Sequence, residues 1–506
     1  MERGGLSKEH THAYVKIYAV NPPHAYVGIF IDPLTNQYRY DVIEPRLFPN
    51  ERKLLNQLKE LLLDELDIRL EDVEKEGEAE TYLKNKIAEV VNKYKIKISE
   101  ETLGKIMYYI VRNFIGYGKI DVMMRDPLIE DISCDGPKLP VFVWHREYES
   151  IPTNVIFETP EELDSFVVRL AYRAGKHVSV AQPIIDGALP DGSRVQITYG
   201  REVSLKGSSF TIRKFRVDPL TIVDLIRLNT LTAEMAAYFW FAIENRASIL
   251  IAGGVAAGKT TLLNALAIFI PPEFKIVSIE ETPEINLPHK NWLQMVTRPG
   301  FGTVETSVTL FDLLKAAVRQ RPDYIIVGEI RGEEAYTLFQ AIATGHLCLS
   351  TIHADSVASV IRRLESEPMN IPRTLIPAMD IIAVMGKLRI ANLPARRVLT
   401  VSEIVGLDRN REVLTNETYK WNPKADTFQY MGRSYLVEKI MRRKAYAYEE
   451  VQEELRRRKV ILEWMVKKNI RKYTEVANIV RDYYADPERL YRRAVISMRR
   501  GISLET

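Results

Sequence analysis

Two cysteines in 506 residues, Cys134 and Cys348, stand far apart in the chain. They are too few for a disulfide framework or a four-cysteine zinc site, and they point to a reducing interior. No apolar run reaches the ~20 residues that span a bilayer. The longest, residues 374–386, is interrupted by Asp380. No charged-then-apolar leader opens the chain, no repeat or low-complexity block follows, and no N-K-x-D motif for reading guanine occurs. These absences predict a cytoplasmic protein. What remains is 46% hydrophobic and 27% charged, the balance of a soluble globular chain, with length for about three domains.

Net charge is small, +3, but unevenly placed. Residues 431–506 hold 19 Lys and Arg against 11 Asp and Glu, a net +8 that leaves −5 elsewhere. A basic tail with interleaved Tyr and Trp suits an anionic membrane surface, nucleic acid or an acidic partner; the plainer reading is a solvated helix face.

Apolar residues at three- and four-residue spacing predict helices over 51–70, 78–94 and 99–114, a bundle within residues 1–115. The first fifty residues have candidate strands at 13–20 and 25–31 and no evident place. Strands at 139–145, 195–199 and 209–215 around a helix over 161–174 predict a small α/β domain, residues 116–218. Pro219 marks a linker or hinge. From 219 to 430 strands at 249–252, 275–280 and 323–329 alternate with helices, which argues a parallel sheet wrapped by helices. Residues 431–506 read as a charged helical extension.

The most informative stretch is GGVAAGKT, beginning at Gly253, between a short apolar strand and an amphipathic helix. It fits G-x-x-x-x-G-K-[ST]. The small residues Gly253, Gly254, Val255, Ala256, Ala257 and Gly258 let backbone N–H groups curl around a phosphate at a helix N-terminus. Lys259 is placed to reach the β- and γ-phosphates and the Thr260 hydroxyl to ligate Mg²⁺, with Thr261 completing the first turn. Without a guanine motif, ATP is the expected nucleotide.

Carboxylates follow in two clusters. IVSIEETPEINL ends a strand in Glu280, Glu281 and Glu284, and DYIIVGEIRGEE delivers Glu329 to the end of another. A carboxylate at such a strand end can orient an attacking water or hold Mg²⁺ through one. Gly328 stands where many P-loop enzymes carry an aspartate. TGHLCLSTIHADS then places His346 and His353 on either side of a strand, positions open to a structural or a functional role.

Together GGVAAGKTTLLNA, IEETPE, RPDYIIVGEIRGEEA and TGHLCLSTIHADS resemble the type II/type IV secretion ATPase superfamily: its Walker A, acidic box, atypical Walker B and His box, in family order. The resemblance extends upstream through GYGKIDVMMRDPLIEDISCDG, VFVWHREY and LPDGSRVQITYG to SFTIRKF. Gly332 after Arg331, where bacterial relatives usually have aspartate, resembles the archaeal branch, which serves archaella, type IV-like pili or related secretion machines. The loop departs at Val255 and Ala257, where relatives often carry Thr and Ser, and the acidic box is all glutamate, leaving its catalytic member open.

This resemblance implies an α/β, RecA-like P-loop ATPase core in a homohexameric ring, docked on a polytopic membrane platform protein. ATP would sit between the N-terminal and RecA-like domains, with Mg²⁺. Glu329 would be the Walker B glutamate, and Glu280, Glu281 and Glu284 the box that polarises water. His346 and His353 would link the γ-phosphate to the moving parts, and Arg194 and Arg213 would neutralise charge on the transferred phosphoryl group. Two rivals stand beside it. A RecA-like nucleic-acid translocase or helicase suits the basic tail, but no nucleic-acid-binding module is present and the core has no excess positive charge. A nucleotide-binding scaffold without turnover sits poorly with the intact Lys259, Thr260 and Glu329 set.

Overall fold

The computed structural model describes residues 13–65, 76–215, 219–298, 307–391 and 393–500. The chain divides into two units, Met1–Phe215 and Arg216–Thr506.

In the first unit the three amphipathic stretches fold as α1 (Pro49–Glu65), α2 (Glu76–Lys93) and α3 (Glu100–Phe114). Their spacing puts Leu58, Leu62, Leu83, Ile87, Ile106 and Ile110 on facing stripes, all fully buried. Ser99 starts α3, its hydroxyl accepting from the Thr102 N–H at 3.2 Å. Residues 66–70 of the first expected helix lie outside the described residues.

The opening segment has a place after all. It is a meander of β1 (Tyr14–Asn21), β2 (Ala25–Ile31) and β3 (Tyr38–Ile43), whose last strand pairs parallel with β6 (Glu149–Ile156). Tyr18 and Tyr40 hydroxyls donate to the buried Asp126 carboxylate at 2.6 and 2.8 Å and fasten the meander down. The rest of the sheet is β4 (Ile129–Cys134), β5 (Pro140–His145), β7 (Ile184–Ala188), β8 (Arg194–Thr198) and β9 (Ser209–Arg213). Among the described residues the strand order is β1-β2-β3-β6-β5-β4-β9-β8-β7. The short α4 (Asp121–Arg125) leads into β4, and α5 (Pro160–Arg173) buries Leu163, Val167 and Leu170 in the same core.

In the second unit β10 (Ile249–Gly253), β11 (Ile276–Glu280), β12 (Trp292–Val296), β13 (Tyr324–Val327) and β14 (Leu347–Ile352) are parallel, in the order β12-β11-β13-β14-β10. Their near-continuous apolar runs fit a sheet covered on both faces. Ile249 and Ile251 enter one core and Leu250 and Ala252 the other. Helices α6 (Ile222–Arg227), α7 (Ala233–Glu244), α8 (Lys259–Ala267), α9 (Leu310–Val318), α10 (Glu334–Ala343) and α11 (Val357–Glu365) supply the cover. This is the parallel α/β sheet wrapped by helices that the alternation of strands and helices predicts.

Four more strands continue the sheet beyond β10. β15 (Ile381–Ile390) is parallel to β10, and β16 (Leu393–Leu407), β17 (Val413–Asn422) and β18 (Thr427–Tyr430) follow antiparallel. The apolar run interrupted by Asp380 is thus a short 3-10 turn (Ile376–Ala378) before the aspartate and the start of a central strand after it. Asp380 accepts from the Ser248 N–H at 2.9 Å and from Lys439 Nζ at 3.0 Å. Among the described residues no helix is long and apolar enough to cross a membrane.

The basic tail forms α12 (Tyr435–Lys444), α13 (Tyr448–Lys467), α14 (Tyr473–Ala485) and α15 (Pro487–Arg500). It shares one hydrophobic core with α7 and α8. Trp240 stacks on Phe269, centroids 4.9 Å apart, and donates from Nε1 to the Tyr484 hydroxyl at 3.0 Å. Arg458, 2% exposed, pairs with Glu244 and with Glu454 (2.8 Å) under the rings of Trp240, Phe241 and Tyr483. Part of the tail's positive charge therefore holds the fold together. Cys134 and Cys348 are free and buried, and burial pushes the Cys134 thiol up to about 11. Pro219 is described, but residues 216–218 just before it lie outside the described residues.

Candidate active site

β10 ends at Gly253, and the chain turns through Gly254, Val255, Ala256 and Ala257 into α8. A Cβ on Gly253 would stand 2.9 Å from the Met385 carbonyl oxygen and 3.1 Å from Ala257 Cβ, so this turn needs glycine. Gly258 caps α8 at φ 91°, a left-handed conformation that glycine adopts without strain. No side chain caps the helix there, and Lys259, Thr260 and Thr261 form its first turn, where N–H groups point out along the helix axis. Lys259 Nζ crosses the loop to donate to the Gly254 carbonyl at 3.1 Å. Val255 stands 79% exposed at the tip. A helix N-terminus, a lysine and a glycine cradle fit a phosphate chain. Thr260 in that turn fits Mg²⁺, which takes few protein ligands and keeps phosphate oxygens and waters.

Parallel register brings the other elements to the same sheet edge. Ala252 pairs with Ile352, so Gly253 is level with His353; Val327 pairs with Ser350 and Ile279 with Val327. Glu329 follows β13, two strands from the P-loop strand or about 10 Å away, and Glu280 ends β11 one strand farther out. Among the described residues no side chain donates a hydrogen bond to Glu329, which is half-buried with Arg331 as its electrostatic neighbour. Ser350 and Thr351 hydroxyls donate to the Val327 and Gly328 carbonyls at 2.9 and 2.6 Å and fix the strand end that presents it.

The three glutamates of the acidic box have separate surroundings. Glu281 is ion-paired with Arg331, and Glu284 is exposed. Glu280, 2% exposed, accepts from the Glu284 and Ile285 N–H groups at 2.8 and 2.9 Å and from Gln294 Nε2 at 3.0 Å. Its neighbour explains the missing aspartate at 328. A Cβ on Gly328 would lie 3.3 Å from Glu280 Cγ, so an aspartate would press a second carboxylate against the first. Gly332 has a similar reason: a Cβ there would meet Glu334 Oε2 at 2.7 Å, where that carboxylate accepts from the Arg331 and Gly332 N–H groups at 2.7 and 2.8 Å.

Burial pushes the Glu280 carboxyl up to about 7 against the opposing pull of its hydrogen bonds. With the folded value above the unfolded one, the protonated form is favoured at low pH, and stability from this group is lost as pH rises through about 7. Ionised, Glu280 accepts more strongly from the Glu284 and Ile285 N–H groups that shape the acidic loop, so phosphate release with Mg²⁺-ATP is expected to climb across the same range. Glu280→Gln should flatten that limb of the pH–rate profile; an unchanged limb would remove Glu280 from the titration.

The two histidines part company. His353, at the C-terminal end of β14, lines a cleft of about 500 Å³ with Gly254, Asp355, Ser359, Arg362 and Arg363. Its carbonyl accepts from Arg363 Nη1 at 2.9 Å. His346 precedes β14 at the opposite edge of the sheet, about 20 Å of strand away, and its Nδ1 donates to the Ala341 carbonyl at 3.2 Å. The fold brings only His353 to the phosphate loop.

Arg194 and Arg213 belong to the first unit and are directly opposed across β8 and β9. Val195, Ile197, Phe210 and Ile212 turn inward, so both arginines share the outer face, about 5 Å apart at Cβ. Asp186 takes Arg194 in two hydrogen bonds of 3.1 and 3.0 Å, and Asp131 opposes Arg213 on the far side. Directly opposed like charges disfavour a strand pair, and here each arginine also faces a carboxylate.

Several site residues carry no motif signature. Asn264, one turn into α8, accepts from the Asn286 N–H at 3.1 Å and ties the acidic loop to the phosphate-binding helix. The Tyr473 hydroxyl of α14 donates to the Asn286 carbonyl.

A family model described as type II/IV secretion system protein matches residues 140–502. The uncharacterised protein MJ0900 of Methanocaldococcus jannaschii is 41% identical over 92% of this chain and 88% of its own length. A probable conjugal transfer protein TrbB of Sinorhizobium fredii is 38% identical over 39% of this chain and 59% of its own. Among solved structures, the Legionella pneumophila ATPase DotB aligns with 75% of this chain and 95% of its own at 16% identity and a TM-score of 0.43. With the family model spanning well over half of it and a relative matched nearly end to end, the chain belongs to the type II/IV secretion system protein family.

Proposed function

We propose that the protein is an ATP-hydrolysing motor. It works as a homohexameric ring on a polytopic membrane platform protein, at the cytoplasmic face, and assembles pilin-like or archaellum filaments or drives secretion. One observation carries the chemistry: a glycine cradle at the N-terminus of α8 shares a sheet edge with Glu329 and Glu280. Lys259 and the first-turn N–H groups hold the triphosphate, and Thr260 is the side chain that would take Mg²⁺. That ion would supply charge neutralisation on the phosphates. Glu329 orients the attacking water, Glu280 sets the acidic loop around it, and Arg194 and Arg213 meet the charge that develops as the phosphoryl group transfers.

The test is phosphate release with Mg²⁺-ATP, beside sedimentation of the protein with and without nucleotide. Turnover that DNA does not stimulate, with hexamers in solution, is the expected result. No release from well-folded protein would leave a binding scaffold, and strong stimulation by DNA would restore the translocase.

Membrane seating is the second expectation. Arg489, Arg492, Arg493 and Arg499 are exposed on α15, and each basic residue near an anionic surface is worth about 1 kcal/mol. Replacing these four with glutamine should reduce sedimentation with anionic liposomes at low salt, and added salt should erase the difference. Equal binding by both proteins at low salt would assign the seating to a protein receptor.

A further inference from the structure

We propose that Arg396 is a nucleotide-binding residue, holding the α-phosphate end of ATP and ADP alike. This rests on the P-loop reading above and adds to it a ligand from outside every motif.

The strand order places it. β10 carries the phosphate loop between β14 on one side and β15 on the other, with Gly253 paired to Met385. The carboxylates and His353 all lie on the β14 side. A triphosphate in the cradle must turn its reacting γ-phosphate toward them, so its α-phosphate and nucleoside leave over the β15 side. There β16 folds back on β15 with Arg396 opposite Lys387. Arg396 reaches across to the loop. Its Nε donates to the Ala256 carbonyl at 3.5 Å, at the long limit of a hydrogen bond, and its Cγ lies 3.9 Å from where a Cβ on Gly258 would be. Ala256 is at φ 57°, in the left-handed region, and Gly258 opens the helix.

Two features mark this arginine as more than a surface charge. Lys387 and Arg396 are directly opposed on neighbouring strands, which sets two cationic residues side by side next to the loop. Among the described residues no carboxylate pairs with Arg396, and neither Nη atom has a hydrogen-bond partner. A planar guanidinium with two open donor edges beside a phosphate-binding loop suits bidentate capture of phosphate oxygens. Because it stands away from the reacting phosphate, it adds equally to ground and transition states. It changes affinity and leaves the chemical step alone.

The experiment is equilibrium binding of ADP and ATP, with steady-state turnover, for full-length Arg396→Ala and Arg396→Gln beside Lys259→Ala. Losing a charge-assisted contact should weaken ADP and ATP by about ten- to a hundredfold each. KM should rise while kcat at saturation stays within about twofold. Arg396→Lys should recover part of the affinity. Unchanged affinity for both nucleotides in both variants would overturn the proposal, as would a fall in kcat without any loss of affinity. If Lys259→Ala, too, binds ADP as the parent does, the P-loop reading fails with it. If only the Arg396 variants do, the P-loop reading stands and this one falls.

Discussion

Glu329→Gln should bind ATP as tightly as the parent protein and hydrolyse it roughly 10²–10⁴-fold more slowly, the scale on which a positioned acid or base acts. The amide keeps the shape of the side chain and removes its charge. The fold supports a selective effect, because the backbone presenting this residue is held by the Ser350 and Thr351 hydroxyls and not by the carboxylate. Position favours Glu329 over Glu280 for direct contact with the water, since β13 lies one strand nearer the P-loop than β11. Nucleotide affinity from equilibrium binding and phosphate release under saturating Mg²⁺-ATP decide the matter. Near-parental hydrolysis would move the role to Glu280.

Changing Arg194 and Arg213 together to alanine should cut kcat by about 10³–10⁵ with little change in ATP affinity, the signature of charge supplied to a transition state. The fold should not suffer. The ion pair between Arg194 and Asp186 is about half exposed on each side, and such pairs contribute on the order of 0–1 kcal/mol. Removing two opposed cations also relieves their repulsion. Thermal unfolding alongside single-turnover hydrolysis separates the possibilities: an unchanged kcat in the double variant would return both residues to ordinary surface arginines.

The sequence made some of this visible and hid the rest for physical reasons. The phosphate cradle was legible because its constraints are local: one glycine too crowded for a Cβ, another at positive φ, a lysine and a threonine in one turn. The bundle helices were legible from their spacing, and Ser99 from its capping chemistry. So were the first two strands of the opening meander, expected at 13–20 and 25–31 and found at Tyr14–Asn21 and Ala25–Ile31. Its third strand and its place in the sheet were not, because they rest on the long-range pairing of β3 with β6. The four strands after β14 were equally obscure, because a central strand such as β15 reads as an apolar run of no stated type.

Within the site, sequence order could not divide the acidic box into a buried Glu280, a paired Glu281 and an exposed Glu284. That division depends on which backbone N–H groups fold back over the strand end. Nor could it separate the two histidines, seven residues apart in the chain yet at opposite edges of the sheet. Arg396 was beyond reach altogether: its relation to Ala256 arises from strand order across a sequence separation of 140.

The bond between Tyr473 and Asn286 has a practical meaning for anyone dissecting this protein. One short loop has its carbonyl engaged by a tail helix, while its N–H groups engage Asn264 and Glu280. The tail is thus a lever whose short arm rests on the acidic loop. Cutting the chain at 431 would unhook that loop and uncover Trp240 and Phe269, so a truncated protein reports on damaged catalysis as much as on lost docking. Point changes on the outer face of α15 leave the Tyr473–Asn286 contact in place.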